Sequence, residues 1–208
     1  MGAVPTTVAG VLLAAGEGSR FGRPKALVEL DGQTLAERGV DLLRAGGTAP
    51  ILVVTGAAPV QLTGILTVHN DQWRTGMGSS LRAALRALAA PSPDADPDVG
   101  AVVVALADQP LVGAAAVARL IAAYRAGVAV AVAAYHGQPR NPVLLAREHW
   151  PEVIATAVGD QGARAFLRAR PDLVTLIECA DTGSPDDIDT PADLDRVANL
   201  YRGSNPPL

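Results

Sequence analysis

An apolar run ends and a glycine-rich basic loop begins within the segment Val11-Leu12-Leu13-Ala14-Ala15-Gly16-Glu17-Gly18-Ser19-Arg20-Phe21-Gly22-Arg23-Pro24-Lys25. Residues 8–14 are too few for a buried helix and predict a buried central strand. Glycine lets backbone N–H groups approach a ligand closely, and Arg20, Arg23 and Lys25 suit a polyanion. We therefore expect a nucleoside triphosphate to bind here; the alternative is a solvated loop after a strand.

Strands and helices alternate along the rest of the chain. Thr34-Leu35-Ala36-Glu37 is a capping box that predicts the start of a helix, and Thr190 before Pro191 is the expected N-cap of the last helix. Strands are predicted over residues 51–55, 66–69, 101–107, 128–135 and 173–178. A polar turn over 136–141 and a short strand over 142–145 are also expected. The alternation predicts one α/β domain over residues 1–208, with a mostly parallel sheet and helices on both faces. Ligands bind such sheets at the carboxyl ends of the strands, so the Gly16 loop, the Asn70 loop and Asp108 should meet there.

Composition narrows the functional classes. The 208 residues carry a net charge of −4, which argues against nucleic acid as a partner. Cys179 is the only cysteine, so an intramolecular disulfide and a Cys-rich zinc site are excluded. No apolar run reaches the roughly 20 residues of a membrane span, and no basic residue precedes the apolar segment 8–15 as a signal peptide requires. We expect a cytoplasmic monomer that binds no membrane.

The glycine spacing differs from the two commonest nucleotide motifs. Gly16, Gly18 and Gly22 read G-x-G-x-x-x-G, one residue longer than the dinucleotide fingerprint. No carboxylate follows the second strand over 53–56 to bind a ribose, and the chain has no Gly-Lys pair for a P-loop. The loop therefore favours a triphosphate over a dinucleotide.

Leu13-Ala14-Ala15-Gly16-x-Gly18-x-Arg20-x-Gly22-x-x-Lys25 resembles the signature of the MobA-like nucleotidyltransferases. Later segments agree with that family in the right order, so the resemblance covers residues 8–200. These segments are Gly76-Met77-Gly78-Ser79-Ser80-Leu81, Ala107-Asp108-Gln109-Pro110, Gly159-Asp160-Gln161-Gly162-Ala163-Arg164 and Asp187-Ile188-Asp189-Thr190-Pro191. The resemblance implies a three-layer Rossmann-like sandwich, the glycosyltransferase-A-like nucleotidyltransferase fold.

The segment 159–164 is most similar to molybdenum cofactor cytidylyltransferases. The resemblance then implies Mg²⁺-dependent transfer of CMP from CTP to a phosphorylated acceptor, molybdopterin, with release of pyrophosphate. In the family, Leu-Ala-Ala-Gly accompanies CTP preference and Leu-Ala-Gly-Gly accompanies GTP preference. The methyl group of Ala15 would narrow the base slot, which gives this association a physical basis. A molybdoenzyme or its maturation factor is the protein partner that the family implies.

The resemblance also implies roles for individual residues. The backbone of Leu13, Ala14, Ala15 and Gly16 should bind the base and ribose. Arg20 would contact the β- and γ-phosphates, and Lys25 the α-phosphate. The nucleotide-binding set is completed by Gly18, Ser19, Asn70, Ser79 and Ser80. Ser79 and Ser80 have an equally good interpretation as helix N-caps.

Two aspartates are candidate metal ligands. Asp108 directly follows the most apolar strand, where an ionised carboxylate without a partner is costly. Its alternative role is to cap the next turn. Asp189 matches a metal-binding aspartate of the family, although its position before Thr190-Pro191 would also favour the start of a helix. Mg²⁺ is the expected cofactor, and Arg20, Lys25 and Asp108 are the expected catalytic set.

One segment departs from the family pattern. Cytidylyltransferases commonly show Gly-His-Pro where this chain has Arg140-Asn141-Pro142. Either the acceptor differs from molybdopterin, or Arg140 and Asn141 provide a substitute contact to an anionic acceptor. Three rivals stay open: a transferase acting on a sugar phosphate or another acceptor, a nicotinamide-dependent oxidoreductase, and a non-catalytic cofactor-maturation factor.

Overall fold

A seven-stranded sheet forms the centre of the computed structural model, which describes residues 7–90 and 98–204, with backbone alone for 200–204. The strands are β1 Thr7–Leu13, β2 Glu29–Leu30, β3 Gln33–Thr34, β4 Ile51–Thr55, β5 Leu66–His69, β6 Val99–Leu106, β7 Val130–Tyr135, β8 Gln138–Ala146 and β9 Val174–Glu178. The helices are α1 Leu35–Ala45, α2 Met77–Ala89, α3 Ala114–Arg125, α4 Trp150–Thr156, α5 Arg164–Ala169 and α6 Pro191–Ser204.

The sheet is mostly parallel, as predicted. Its order is β5-β4-β1-β6-β8-β7-β9, and the short strands β2 and β3 form a separate antiparallel pair. β1 pairs in parallel with both β4 and β6, and β7 pairs in parallel with β9. β8 runs antiparallel to β6 and β7. β1 therefore lies inside the sheet, which explains why its sequence is apolar on both faces.

Helices cover both faces of the sheet and make three layers. On one face α2, α4 and α5 contribute Leu81, Trp150 and Phe166 to a core shared with the sheet. On the other face α1 and α3 contribute residues such as Leu43 and Leu120. The fold is thus the predicted three-layer α/β sandwich.

The predicted turn over 136–141 is wrong. The turn consists of His136 and Gly137 alone, and both have positive φ, 54° and 75°. Two such residues suit a tight hairpin between antiparallel strands. Arg140 and Asn141 therefore lie within β8, whose first residues are exposed and so lack the apolar alternation that marks a strand.

Local signals at two helix starts are confirmed. Thr34 and Glu37 form the capping box predicted for α1: the Glu37 N–H donates to the Thr34 hydroxyl, and the Thr34 N–H donates to the Glu37 carboxylate. Thr190 precedes α6, and its hydroxyl accepts from the Asp193 N–H at 3.2 Å. None of the helices in the described part of the chain is long and apolar enough to cross a membrane.

Candidate active site

An open pocket of about 650 Å³ lies where β1 and β6 end and α2 begins. The Gly16 loop, the residues before α2 and Asp108 meet in its wall, at the edge of the sheet where the sequence places them. The predicted site residues on this wall are Leu13, Ala14, Ala15, Gly16, Gly18, Ser19, Arg20, Lys25, Ser80 and Asp108.

The backbone at the end of β1 is anchored to its neighbours. The Leu13 carbonyl accepts from the Ala107 N–H at 3.1 Å, and the Ala15 carbonyl accepts from the Ala57 N–H at 3.0 Å. Within residues 7–90 and 98–204, the N–H groups of Ala15 and Gly16 form no hydrogen bond with the protein. A rigid strand end thus presents two backbone donors next to the pocket.

Gly18 makes the loop turn back towards the sheet. It adopts a positive φ of 64°, and its carbonyl accepts from the N–H groups of Phe21 and Gly22, both at 2.8 Å. A Cβ atom at this position would collide with the Arg23 carbonyl. Only glycine fits this turn without strain, and the turn returns Lys25 to the pocket.

The Lys25 ammonium group bridges two distant carboxylates. Nζ lies 2.9 Å from Oδ2 of Asp108 and 2.5 Å from Oδ1 of Asp189. The Lys25 side chain is 18% exposed, and those of Asp108 and Asp189 are 26% and 31% exposed. Burial of the amine opposes its charge, but the carboxylates of Asp108 and Asp189 outweigh this and raise the pKa of Lys25. The amine is therefore charged at neutral pH.

A third carboxylate lies beside this pair. Gln109 donates from Nε2 to Oδ1 of Asp187 at 2.8 Å, and the Ile188 N–H donates to the Asp108 carbonyl at 2.8 Å. Burial, followed by the charge of Asp108, raises the pKa of Asp187. The site thus concentrates negative charge that Lys25 only partly neutralises.

Asp108 and Asp189 suit a hard divalent cation. One cation, the Lys25 ammonium, already contacts an oxygen of each, so both can reach a common point. In the described residues no group of three or more His, Cys, Asp or Glu side chains could hold a metal ion. Two carboxylates fit Mg²⁺, which commonly keeps several waters and takes further oxygen ligands from substrate phosphates.

Arg20 lies at the entrance to the pocket. Its guanidinium is 3.0 Å from Oδ2 of Asp189, and its side chain is 71% exposed. An exposed ion pair of this kind contributes little to stability. The guanidinium is therefore available to an incoming phosphate at small energetic cost.

Asn70 and Ser79 form a hydrogen-bonded group next to the pocket wall. Asn70 donates from Nδ2 to the hydroxyls of Ser79 and Ser80 at 2.8 and 3.0 Å, and its side-chain oxygen accepts from the Gln72 N–H. Ser80 lines the pocket, whereas Asn70 and Ser79 do not. The N-cap of α2 is Gly76, so neither serine caps the helix.

Sequence reasoning assigned no role to several residues of the wall. These are Glu17, Trp73, Arg74, Met77 and Asp160. The Arg74 guanidinium lies 4.2 Å from the centre of the Trp73 ring, a cation–π arrangement. Trp73 packs so closely on Gly56 that a Cβ there would lie 2.7 Å from the Trp73 Cβ. The sequence did offer a signal for Trp73, since it is a tryptophan in the Asn70 loop, at the edge of the sheet where a ligand was expected.

Lys25 also carried a signal that was missed. It is the only lysine in the chain, and all the other members of the Lys and Arg set are arginines. Arginine and lysine are not interchangeable where a compact, mobile ammonium is needed. The bridge to Asp108 and Asp189 was not foreseen, because nothing in the spacing shows that the three residues meet.

A second pocket of about 520 Å³ lies beside the hairpin of β7 and β8. Arg140 lines it, together with Tyr135, His136 and Asp187, whereas Asn141 does not. Arg140 is exposed and donates to the adjacent Pro139 carbonyl at 3.2 Å. Because Asp187 lines this pocket and interacts with Asp108, the two pockets are neighbours.

Glu178 fixes the hairpin that carries Arg140. Its carboxylate accepts hydrogen bonds from the N–H groups of His136 at 3.1 Å, Gly137 at 3.0 Å and Ala180 at 3.0 Å. These backbone hydrogen bonds, that of Ala180 first, lower the pKa of Glu178. The carboxylate therefore stabilises the turn in its ionised form.

This chain is similar to a known protein family and to curated proteins over most of its length. The family described as the MobA-like NTP transferase domain matches residues 10–174. The nicotine blue oxidoreductase of Paenarthrobacter nicotinovorans is 37% identical, and the match covers 94% of this chain and 95% of that protein. The molybdenum cofactor guanylyltransferase of Xanthomonas euvesicatoria is 37% identical over 54% of this chain and 53% of that protein.

Solved structures share the whole fold. A Mycobacterium homologue of the Mycobacterium tuberculosis protein Rv0371c is 30% identical, with a TM-score of 0.82 and coverage of 96% of this chain and 99% of that one. Rv0371c itself, in complex with manganese, is 26% identical, with a TM-score of 0.73 and coverage of 93% and 98%. These matches extend over the sheet and the site described above.

Proposed function

We propose, from the premise that this chain belongs to the MobA-like NTP transferase family, that it transfers CMP from CTP to molybdopterin and releases pyrophosphate. Nucleotidyl transfer is the chemistry of the family. CTP as the donor, molybdopterin as the acceptor and dependence on Mg²⁺ are proposed in addition to this shared chemistry, from the residues of the site.

One observation carries the proposal. Lys25 joins the glycine loop to Asp108 at the end of β6 and to Asp189 before α6. Lys25 and Asp108 line the pocket, and so do Ala15 and Gly16, whose N–H groups form no hydrogen bond within the described residues. Cations, backbone donors and paired carboxylates are what a metal-bound triphosphate requires. Their convergence from three separate segments supports a triphosphate site more strongly than the loop motif alone.

The protein's own groups would act by position and charge. The N–H groups of Ala15 and Gly16 would orient the nucleotide, and the cations Arg20 and Lys25 would offset phosphate charge. The N-terminus of α2 also faces this pocket through Gly76 and Met77, and its dipole favours an anion. Attack on the α-phosphorus would then proceed in line as pyrophosphate leaves.

Asp108 and Asp189 would bind Mg²⁺, together with phosphate oxygens and water. When bound, Mg²⁺ would neutralise phosphate charge and so favour departure of pyrophosphate. The manganese complex of the related mycobacterial protein supports a divalent cation in this family.

The preference for CTP rests on Ala15. This residue is 6% exposed and lines the pocket. Its methyl group narrows the slot beside β1 in comparison with glycine, which favours the smaller pyrimidine. Trp73 on the same wall offers an aromatic face for a base.

The acceptor is assigned to the second pocket. That pocket adjoins Asp108 through Asp187, and the guanidinium of Arg140 suits a phosphate. The relative named molybdenum cofactor guanylyltransferase supports an acceptor related to the molybdenum cofactor, of which molybdopterin is the proposed form. A sugar phosphate or another phosphorylated acceptor is the alternative that the same pocket would admit.

A second candidate function is an oxidoreductase, favoured by the full-length relative named nicotine blue oxidoreductase. A nicotinamide cofactor could place its phosphates on the same basic loop. Against this, β4 ends at Thr55-Gly56 without the carboxylate that usually binds the adenosine ribose.

The test is pyrophosphate release from each of the four common NTPs with Mg²⁺ and molybdopterin. The proposal predicts release with CTP above all others, and no oxidation of NADH or NADPH with electron acceptors. Oxidation of either cofactor without pyrophosphate release would instead establish the second candidate.

A further inference from the structure

The Lys25 ammonium occupies the point that a metal bound by Asp108 and Asp189 would need. Nζ is 2.9 Å from one carboxylate and 2.5 Å from the other, both direct hydrogen bonds. A divalent cation binding the same oxygens cannot share this point with an ammonium group. A metal that binds these same two oxygens must therefore displace Lys25.

Lys25 can move without unfolding the site. Its charge stands at the end of a flexible four-carbon stem, and the pocket beside it is open and large. What opposes the movement is electrostatic, because the amine would leave two carboxylates for water. A triphosphate in the pocket would reverse this, since its oxygens offer the displaced ammonium a new partner.

We propose that Lys25 is a built-in counter-ion, which fills the metal position in the free protein and passes to the phosphates when metal and nucleotide bind together. The metal alone then binds weakly, and nucleotide and metal each increase the affinity for the other. This inference rests on the proposed triphosphate site and adds that metal and nucleotide bind to it together.

Removal of Lys25 distinguishes a counter-ion that competes with the metal from a residue that only binds phosphate. If Lys25 only helped to bind phosphate, its removal would weaken nucleotide binding and leave binding of the bare metal unchanged. If Lys25 competes with the metal, its removal must strengthen binding of the bare metal. The two roles thus predict different results for one variant.

The first experiment is a titration of the nucleotide-free protein with Mn²⁺, followed by the electron paramagnetic resonance of free Mn²⁺. Lys25→Met should bind Mn²⁺ at least tenfold more tightly than the wild type, and CTP should increase the Mn²⁺ affinity of the wild type far more than that of the variant. Equal Mn²⁺ affinities of Lys25→Met and the wild type would overturn the inference.

Arg23→Met is the matched control. Arg23 is in the same loop and lies over the Phe21 ring at 5.8 Å, so this variant removes the same charge without touching the aspartates. Its Mn²⁺ affinity should change less than twofold. A gain equal to that of Lys25→Met would mean that overall charge, not occupancy, controls the metal, and would also overturn the inference.

The second experiment uses the single lysine. In protein labelled with ¹⁵N-lysine, only Lys25 gives a side-chain ammonium signal. Millimolar Mg²⁺ alone should leave the signal in place, and Mg²⁺ with CTP should shift it. An unchanged signal with Mg²⁺ and CTP, in a sample where calorimetry shows that both bind, would contradict the displacement. Neither experiment requires turnover. If the protein released no pyrophosphate, the proposed reaction would be wrong, but displacement of Lys25 by the metal could still be observed.

Discussion

The ammonium nitrogen of Lys25 lies 2.9 Å from Oδ2 of Asp108, although 83 positions separate the two residues in the chain. This contact closes the glycine loop against the end of β6, and Asp189 joins it from the segment before α6. The parallel pairing of β1 with β6 makes the contact possible, because both strands end at the same edge of the sheet.

The first prediction concerns Asp108. Asp108→Asn removes a charge that would bind the metal, so pyrophosphate release should fall by about 10²–10³-fold, the usual scale for a lost electrostatic contact in a transition state. The side chain is partly exposed, so the melting temperature should change by only a few degrees. Asp71→Asn, on an almost fully exposed side chain, is the control and should retain full activity. Full activity of Asp108→Asn would remove this residue from the metal role.

The second prediction concerns Trp73. If its ring stacks on the base, Trp73→Ala should cost about 1–3 kcal/mol of binding free energy, as for other base–aromatic stacking. Calorimetry with CTP and Mg²⁺ measures this directly, and Trp73→Phe should recover most of the loss. An unchanged affinity in Trp73→Ala would place the base elsewhere in the pocket.

The third prediction separates acceptor from nucleotide. Arg140→Ala should raise the KM for the acceptor about tenfold or more and leave the dissociation constant of CTP unchanged, because Arg140 lines only the second pocket. Arg125→Ala, on an exposed residue at the end of α3, provides the control. Loss of CTP affinity in Arg140→Ala would show that the two pockets do not divide the substrates in this way.

The fourth prediction is a dependence of stability on pH. The folded protein lowers the pKa of Glu178, so its contribution is present above the usual value near 4.5 and is lost as the pH falls below it. Glu178→Gln should lower the melting temperature at pH 7, and the difference from the wild type should shrink at pH 3.5. Glu29→Gln, on an exposed residue, should show no such convergence. A constant difference at both pH values would mean that the charge of Glu178 does not stabilise the turn.

The sequence predicted the layers of the fold because its signals there are local. Apolar runs marked the buried strands, and Thr34 with Glu37 marked the start of α1. The first half of β8 escaped prediction, since its exposed residues and Pro139 hide the strand that the tight turn at His136-Gly137 creates. Pairing partners, not propensity, decide such a strand.

The residues that form the site were easier to predict from the sequence than the contacts between them. The glycine loop and Asp108 were found from strand ends, and the structure places them in one pocket. That Asn70 bonds to Ser79 and Ser80, or that Lys25 lies between two aspartates, depends on distances across the fold that no spacing encodes. Trp73 was overlooked because aromatic side chains usually indicate core rather than a pocket wall.

The mass of the product formed from CTP, Mg²⁺ and molybdopterin tests directly whether the protein transfers CMP to this acceptor. The expected product is the acceptor heavier by one cytidylyl group, which is CMP less one water, with one pyrophosphate released for each product molecule. Asp108→Asn should form both about 10²–10³-fold more slowly. An unmodified acceptor and intact CTP, with wild-type protein shown by calorimetry to bind both, would contradict the proposed transfer.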